Sequence, residues 1–234
     1  MGIQVSLTPT TVYRLRLSAS NAYLLLANGA VLVDSGLKGE AKRILAAVKA
    51  RGVQPLDLKL ILLTHGHMDH AGAAKEVSNH TGAPIAMHAS DARWGSSHQE
   101  VPAPPVTSWA RMISRLLSVP AIRKRMAMEP FTPDIILEDG DFTLYEFGIP
   151  GIAIHTPGHT AGSVSVLLED GRAVVGDMAM NGFPSLRFQP SPPIVAQNLG
   201  ELAQSWRMLC ARGATTAYPG HGASFPSRSL KLIA

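Results

Sequence analysis

The sequence predicts an α/β protein of the mixed α+β kind, an αββα sandwich whose two sheets pack face to face with helices outside. Two observations predict it. Each half of the chain has the same element order: a hairpin, an acidic residue, a helix, a strand and a histidine. Apolar runs of strand length, Leu58 to Leu63 and Ala173 to Val175, stop abruptly at polar residues, as buried strands ending at a sheet edge do.

Taken in order, Thr11 to Leu17 alternates loosely as a first strand. Ala22–Ala27 and Ala30–Asp34 flank Asn28-Gly29, a hairpin turn signal. Apolar residues at Ala41, Ile44, Leu45 and Val48 set a helix between Gly39 and Arg51, closed by Gly52. The run Leu58 to Leu63 is the next strand, and a helix starts over Ala71 to Ser78. In the second half, Ile152 to His155 is strand-like, and Ser163–Glu169 and Arg172–Gly176 flank the turn signal Asp170-Gly171. A helix over Val195 to Arg212 and a strand over Thr215 to Tyr218 complete it. Between the halves, residues 91–133 are rich in proline, with one helical piece over Val106 to Ser118 and with Trp94, Trp109, Met112, Met126 and Met128. This segment is expected either to overhang the site as a substrate-binding cap or to be an ordinary packed surface segment. The whole chain, 1–234, is expected to form one domain.

The chemistry concentrates in Thr64-His65-Gly66-His67-Met68-Asp69-His70, directly after the strand of Leu58 to Leu63. His65 and His67, two apart in extended backbone, point to the same side and can share an ion. Imidazoles with a carboxylate suit zinc or a similar first-row metal. Three further candidates stand beside strand-like runs: His159 in Thr156-Pro157-Gly158-His159, Asp177 after Gly176, and His221 in Pro219-Gly220-His221-Gly222. Each is expected just past its strand, on one rim of a sheet. Asp34 is expected either to fix the tautomer of a ligand histidine or to cap the turn Ser35-Gly36. His80, His88, His98 and His155 fall outside the pattern and read as structural or surface residues.

This constellation, spread from Asn21 to Phe225, resembles the metallo-β-lactamase fold superfamily. The resemblance implies that His65, His67 and His159 hold one ion, that Asp69, His70 and His221 hold a second, and that Asp177 bridges them. Two divalent ions, expected to be Zn2+ with Fe or Mn as alternatives, sit ~3.5–4 Å apart in such sites and share a hydroxide. Metal binding lowers the pKa of water from 15.7 to about 7. Asp69 is then the candidate catalytic residue that orients the hydroxide or receives a proton. Substrate-contacting residues are not identifiable.

The bridging Asp177 looks like the glyoxalase II, acyl-homoserine lactonase and ribonuclease Z groups rather than the dedicated lactamases. About a dozen residues follow His221, so the glyoxalase II C-terminal domain is expected to be missing. The lactonases often carry a tyrosine soon after the bridging aspartate. Here Met178-Ala179-Met180-Asn181-Gly182-Phe183 follows, leaving Tyr218 or Tyr145 to reach inward. The expectation is a dinuclear zinc hydrolase of a carboxylic ester, lactone or thioester, with the Met/Phe stretch suggesting a partly hydrophobic small-molecule substrate. The alternatives are a β-lactam hydrolase, a mononuclear Fe(II) oxidoreductase resembling persulfide dioxygenase, and a phosphodiesterase.

Composition sets the remaining bounds. A hydrophobic content of 46% with 16% charged residues is globular. The formal charge of +4 permits an anionic partner. Arg111, Arg115, Arg123, Lys124 and Arg125 cluster, but without the aromatic interleaving of RNA binders, so a solvated helix face is expected rather than a nucleic-acid site. No apolar run is long enough to span a bilayer. Met1 to Thr11 lacks the pattern of a signal peptide, so a cytoplasmic protein without membrane partners is expected. A single cysteine, Cys210, excludes an internal disulfide and reads as a core residue. A homodimer is common in the superfamily and is carried as an expectation.

Overall fold

A computed structural model describes residues 8–96, 101–106, 108–117, 128–183, 185 and 189–230. The first half supplies strands β1 (Thr11–Arg16), β2 (Asn21–Leu26), β3 (Ala30–Val33), β4 (Leu58–Leu62), β5 (Ile85–His88) and β6 (Ile135–Leu137), which lie side by side in chain order. β1 to β3 are antiparallel and β3 to β6 parallel. The second sheet holds β7 (Asp141–Thr143), β8 (Gly151–His155), β9 (Val164–Leu168), β10 (Arg172–Asn181), β11 (Thr216–Gly222) and β12 (Phe225–Pro226), in the order β12-β11-β10-β9-β8-β7. Among the described strands of this sheet, β10 and β11 pair in parallel and the others antiparallel.

Alternation along the strands builds three apolar layers, because successive side chains leave opposite faces of a strand. In β3, Val31 and Val33 enter the core between the sheets, while Ala30 and Leu32 face outward. Leu60 and Leu62 of β4 meet Val164, Val166 and Leu168 of β9 in that inner core. Outside the first sheet, Ile61 and Leu63 pack on α1 (Ala41–Lys49) and α3 (Ala74–Thr81) through Ile44, Val48 and Val77. Outside the second, Ala173, Val175 and Leu167 pack on α6 (Leu199–Ala211) through Leu202, Trp206 and Leu209. The expected αββα sandwich is the observed fold. Cys210 is partly buried against this third layer.

The remaining helices are α2 (Met68–Ala71), α4 (Ala89–Gly95) and α5 (Ser108–Leu117). α2 differs from expectation, since the helix begins at Met68 instead of Ala71. It ends at Gly72, where a Cβ would meet Lys38 N at 2.6 Å, the backbone leaves the helical region at Ala73, and α3 resumes at Ala74. α6 also starts later than expected. Asn198 caps it by accepting Gly200 N and Glu201 N, and the preceding residues run extended, with Val195 bridged to Pro105. Among the described residues, no helix is long and apolar enough to cross a membrane.

Candidate metal centre

All seven donor side chains expected from the sequence meet at one end of the inner layer. His65 and His67 sit on the loop leaving β4, and Asp69 and His70 on the single turn of α2, with His67 at its N-cap. His159 lies on the turn between β8 and β9. Asp177 and His221 do not lie past their strands as expected. Both fall inside them, in β10 and β11. The reason is a break in register between Val174 and Met180, an irregularity that re-aims a side chain while the strand goes on. Gly176, at φ 48, occupies the break, and a Cβ there would stand 2.7 Å from Thr64 Oγ1.

The hydrogen bonds around the histidines fix which nitrogen faces inward. His67 Nε2 donates to the Val101 carbonyl (3.0 Å) and His159 Nδ1 to the Val195 carbonyl (2.9 Å). The Thr64 hydroxyl donates to Asp34 and therefore accepts from His65 Nδ1 (3.0 Å). The inward atoms are thus His65 Nε2, His67 Nδ1 and His159 Nε2, all bearing lone pairs. His67 Nδ1 lies 3.1 Å from the first and 3.0 Å from the third. Three converging lone pairs repel one another unless a cation sits among them. This donor set fits a metal ion.

The second cluster carries the same mark. His70 Nδ1 donates to Asp34 Oδ2 (2.8 Å), leaving His70 Nε2 facing Asp177 Oδ1 at 3.3 Å, and neither of these buried atoms has a hydrogen-bond partner among the described residues. His221 Nε2 is 3.3 Å from both Asp69 Oδ2 and Asp177 Oδ2. Asp177 also approaches His159, at 3.8 Å, so it stands between the two clusters. Asp69 is the least buried of the seven, with 23% of its side chain exposed. The Nδ1 of His221 has no partner among the described residues, so the protein leaves this tautomer unset.

Charge divides the site in the same way. Burial, helped by neighbouring rings, holds His65 well below the usual imidazole pKa and pushes His159 down to about 3. Both stay neutral, the form in which an imidazole can bind a metal ion. Burial also pulls on His70 and His221, but Asp177 and its companion carboxylates outweigh it and raise both, His221 to about 10. Burial opposes the charge on Asp177, yet His221 and His70 hold it well below the carboxylate range. The second cluster is a buried knot of carboxylates that draws positive charge.

Of the two roles expected for Asp34, the structure puts it against the histidine. It accepts from His70 Nδ1 and from the backbone and hydroxyl of Thr64, in a left-handed conformation at φ 63. The sequence reading missed Asp91. Its carboxylate, 1% exposed, accepts Gly66 N (2.9 Å), Thr160 Oγ1 (2.8 Å) and Gly162 N (3.0 Å). It ties the loop of His65 and His67 to the loop of His159. Nothing near Asp91 in sequence points to this, because both partners are distant loops.

The readings of the Met178–Phe183 stretch, Tyr145 and Tyr218 need correction. Met178 and Ala179 belong to the third core layer, so they speak to packing rather than to a hydrophobic substrate, and Phe183 is 70% exposed. Tyr145 does not reach inward, since its hydroxyl bonds Glu169 at the surface. Tyr218 packs edge-on against Tyr23 and belongs to the inner core. His88 and His155 stack at 3.9 Å and share Asp139, and His80 is exposed. Arg111 and Arg115 are exposed on α5. Arg123, Lys124, Arg125, Met126 and His98 lie outside the described residues.

A two-sheet sandwich with clustered His and Asp donors at one rim defines a class of metal-site proteins. The particular family follows: the chain belongs to the metallo-beta-lactamase superfamily, whose model matches residues 15–221. It is similar to the probable metallo-hydrolase YflN of Bacillus subtilis, 29% identical over 64% of this chain and 55% of that one. It is also similar to the hydroxyacylglutathione hydrolase GloC of Haemophilus influenzae, 29% identical over 65% of this chain and 62% of that one. The chain thus spans less than two thirds of the length of either relative. Among solved structures, the BLEG-1 B3 metallo-beta-lactamase superposes with a TM-score of 0.70 at 22% identity, covering 94% of this chain and 95% of that one. That likeness concerns the fold.

Proposed function

We propose that this protein is a dinuclear metal-dependent hydrolase that cleaves a carboxylic ester, lactone or thioester. One observation carries the reading: Asp177 stands between two complete donor clusters, His65/His67/His159 and Asp69/His70/His221. A single-iron oxidoreductase would need only the first cluster and Asp177, and would leave the second without a purpose. The name of the Haemophilus relative, a hydroxyacylglutathione hydrolase, supports the thioester member of this set.

His65 Nε2, His67 Nδ1 and His159 Nε2 would hold one ion, while Asp69, His70 Nε2 and His221 Nε2 would hold the other, with Asp177 between. Such ions supply Lewis acidity and activate water at neutral pH. The chain does the rest. Val101, Val195, Thr64 and Asp34 lock the ring orientations. Asp69, the most accessible donor, is placed to accept the proton of an attacking water and return it to the leaving group. Residues 101–106, seated beside His67 and paired with 194–196, support a covering role for part of the segment between the halves.

The test is metal content by mass spectrometry alongside turnover of a lactone, a thioester, a β-lactam and a phosphodiester. Near two zincs with preferential lactone or thioester cleavage is the expected result. One iron with little hydrolysis, or a preference for the β-lactam or phosphodiester, would refute the reading.

A further inference from the structure

Beside the metal centre lies a second feature that the donor set does not use. A cleft of about 310 Å3 opens against His221 and is lined on its other side by Arg14, Arg16, Ser20 and Asn21. The two arginines are two apart on β1, so both leave the same face of the strand. Arg14 Nη1 donates to the Gly222 carbonyl at 2.9 Å, which places its guanidinium one residue from His221. Arg16 is exposed.

What sets them apart is their place on this cleft, since other arginines such as Arg51 and Arg93 also meet no carboxylate among the described residues. Arg43, Arg172 and Arg212 are each ion-paired, to Glu40, Asp170 and Asp141. Among the described residues neither Arg14 nor Arg16 meets a carboxylate. Two neighbouring guanidinium groups repel each other, and an anion placed between them removes that cost and gains charge-assisted, forked hydrogen bonds. The cleft, about 310 Å3 and open at the surface, has room for a short chain bearing an anion.

We propose that the substrate is a short acyl ester or thioester whose acyl chain ends in a carboxylate, held in the Arg14/Arg16 cleft while the scissile carbonyl reaches past His221. This rests on the hydrolase reading above and narrows its substrate class. The sequence alone offered no such assignment, because Arg14 and Arg16 sit some 200 residues from His221 and only the packing of β1 and β2 against the end of β11 joins them.

The test separates the two readings. Zinc-loaded protein is titrated calorimetrically with butyrate, glutarate and 4-phosphonobutyrate at fixed ionic strength. The first two share one carboxylate for the metal and differ in the second. Glutarate is expected to bind about tenfold or more tighter than butyrate, the scale of one charge-assisted contact. In R16E that ratio is expected to collapse to near one, with an unchanged circular dichroism spectrum, because Arg16 lies at the surface. Equal binding of butyrate and glutarate by the native protein, or a ratio that survives in R16E, overturns the proposal. Tighter binding of 4-phosphonobutyrate than of glutarate overturns the carboxylate assignment in favour of a phosphoryl group. Hydrolysis of 4-nitrophenyl butyrate and mono-4-nitrophenyl glutarate is followed in parallel. If neither is cleaved while the glutarate preference holds, the hydrolase reading fails and the subsite stands. If both are cleaved without preference, the subsite fails alone.

Discussion

Asp91→Asn isolates the tie between the loop of His65 and His67 and the loop of His159. In the native protein, Oδ2 accepts Gly66 N and the Thr160 hydroxyl, and Oδ1 accepts Gly162 N. All three partners donate, and an amide offers one oxygen in place of two. With the amide oxygen in the Oδ2 position, the NH2 group confronts the Gly162 N–H, leaving one buried donor without an acceptor. That costs about 1–3 kcal/mol. Asp91→Ala orphans both backbone donors, at about 2–6 kcal/mol. For a chain of this size about 1 kcal/mol moves Tm by about 2–4 °C, so Asp91→Asn should melt about 2–12 °C lower. The loops can hardly relax to compensate, since a Cβ at Gly162 would stand 2.6 Å from Asp91 Cγ. Because His65, His67 and His159 ride on these loops, zinc affinity should fall about tenfold, read by competition with a chromogenic chelator. A variant that melts within 1 °C of the native protein and binds zinc equally would refute the positioning role.

Four further substitutions and a change of pH have definite outcomes. His67→Ala and Asp177→Ala should each lose metal and hydrolysis together while keeping the native circular dichroism spectrum; full activity in either would overturn the site. Asp34→Asn, a residue that tolerates the left-handed backbone, should weaken zinc binding about 10–100-fold by removing the anchor of His70 Nδ1, measured by the same chelator competition. Gly220→Ala would put a Cβ 2.3 Å from Asp177 Oδ1 and 2.5 Å from His70 Cε1, so metal occupancy should drop while urea unfolding remains cooperative. The chelator-stripped protein should lose stability as pH falls from about 6.5 toward 3. The unfolded chain protonates in that window while His159 resists to about 3, giving up to about 1.4 kcal/mol per pH unit for each such group. It should also lose stability as pH rises from about 6.5 toward 10, as His221 gives up its proton. Urea midpoints across pH, compared with His159→Gln, would check this, and a slope unchanged by that substitution would refute the assignment to His159.

The sequence by itself determined the layers and the donor types. The Leu- and Ile-rich run from Leu58 to Leu63 is of strand length and ends at a polar cluster, and the turn signals Asn28-Gly29 and Asp170-Gly171 pinned two hairpins that the structure contains. The histidines and aspartates of the centre were legible because each follows or interrupts such a run. What tertiary structure alone decided is how those donors are held and what lies beside them. Asp177 and His221 lie inside strands where β10 breaks register against β11 at Gly176, which sits close against Thr64 of the other half, an approach that local pattern does not encode. Asp91 tells the same story, with hydrogen bonds to loops 25 and 71 residues away. Met178 and Ala179 looked like substrate contacts but are core, since an apolar residue in sequence does not reveal which face of its strand it leaves. Local pattern fixes the elements. Contacts between the halves, made only when the two sheets pack, fix the chemistry.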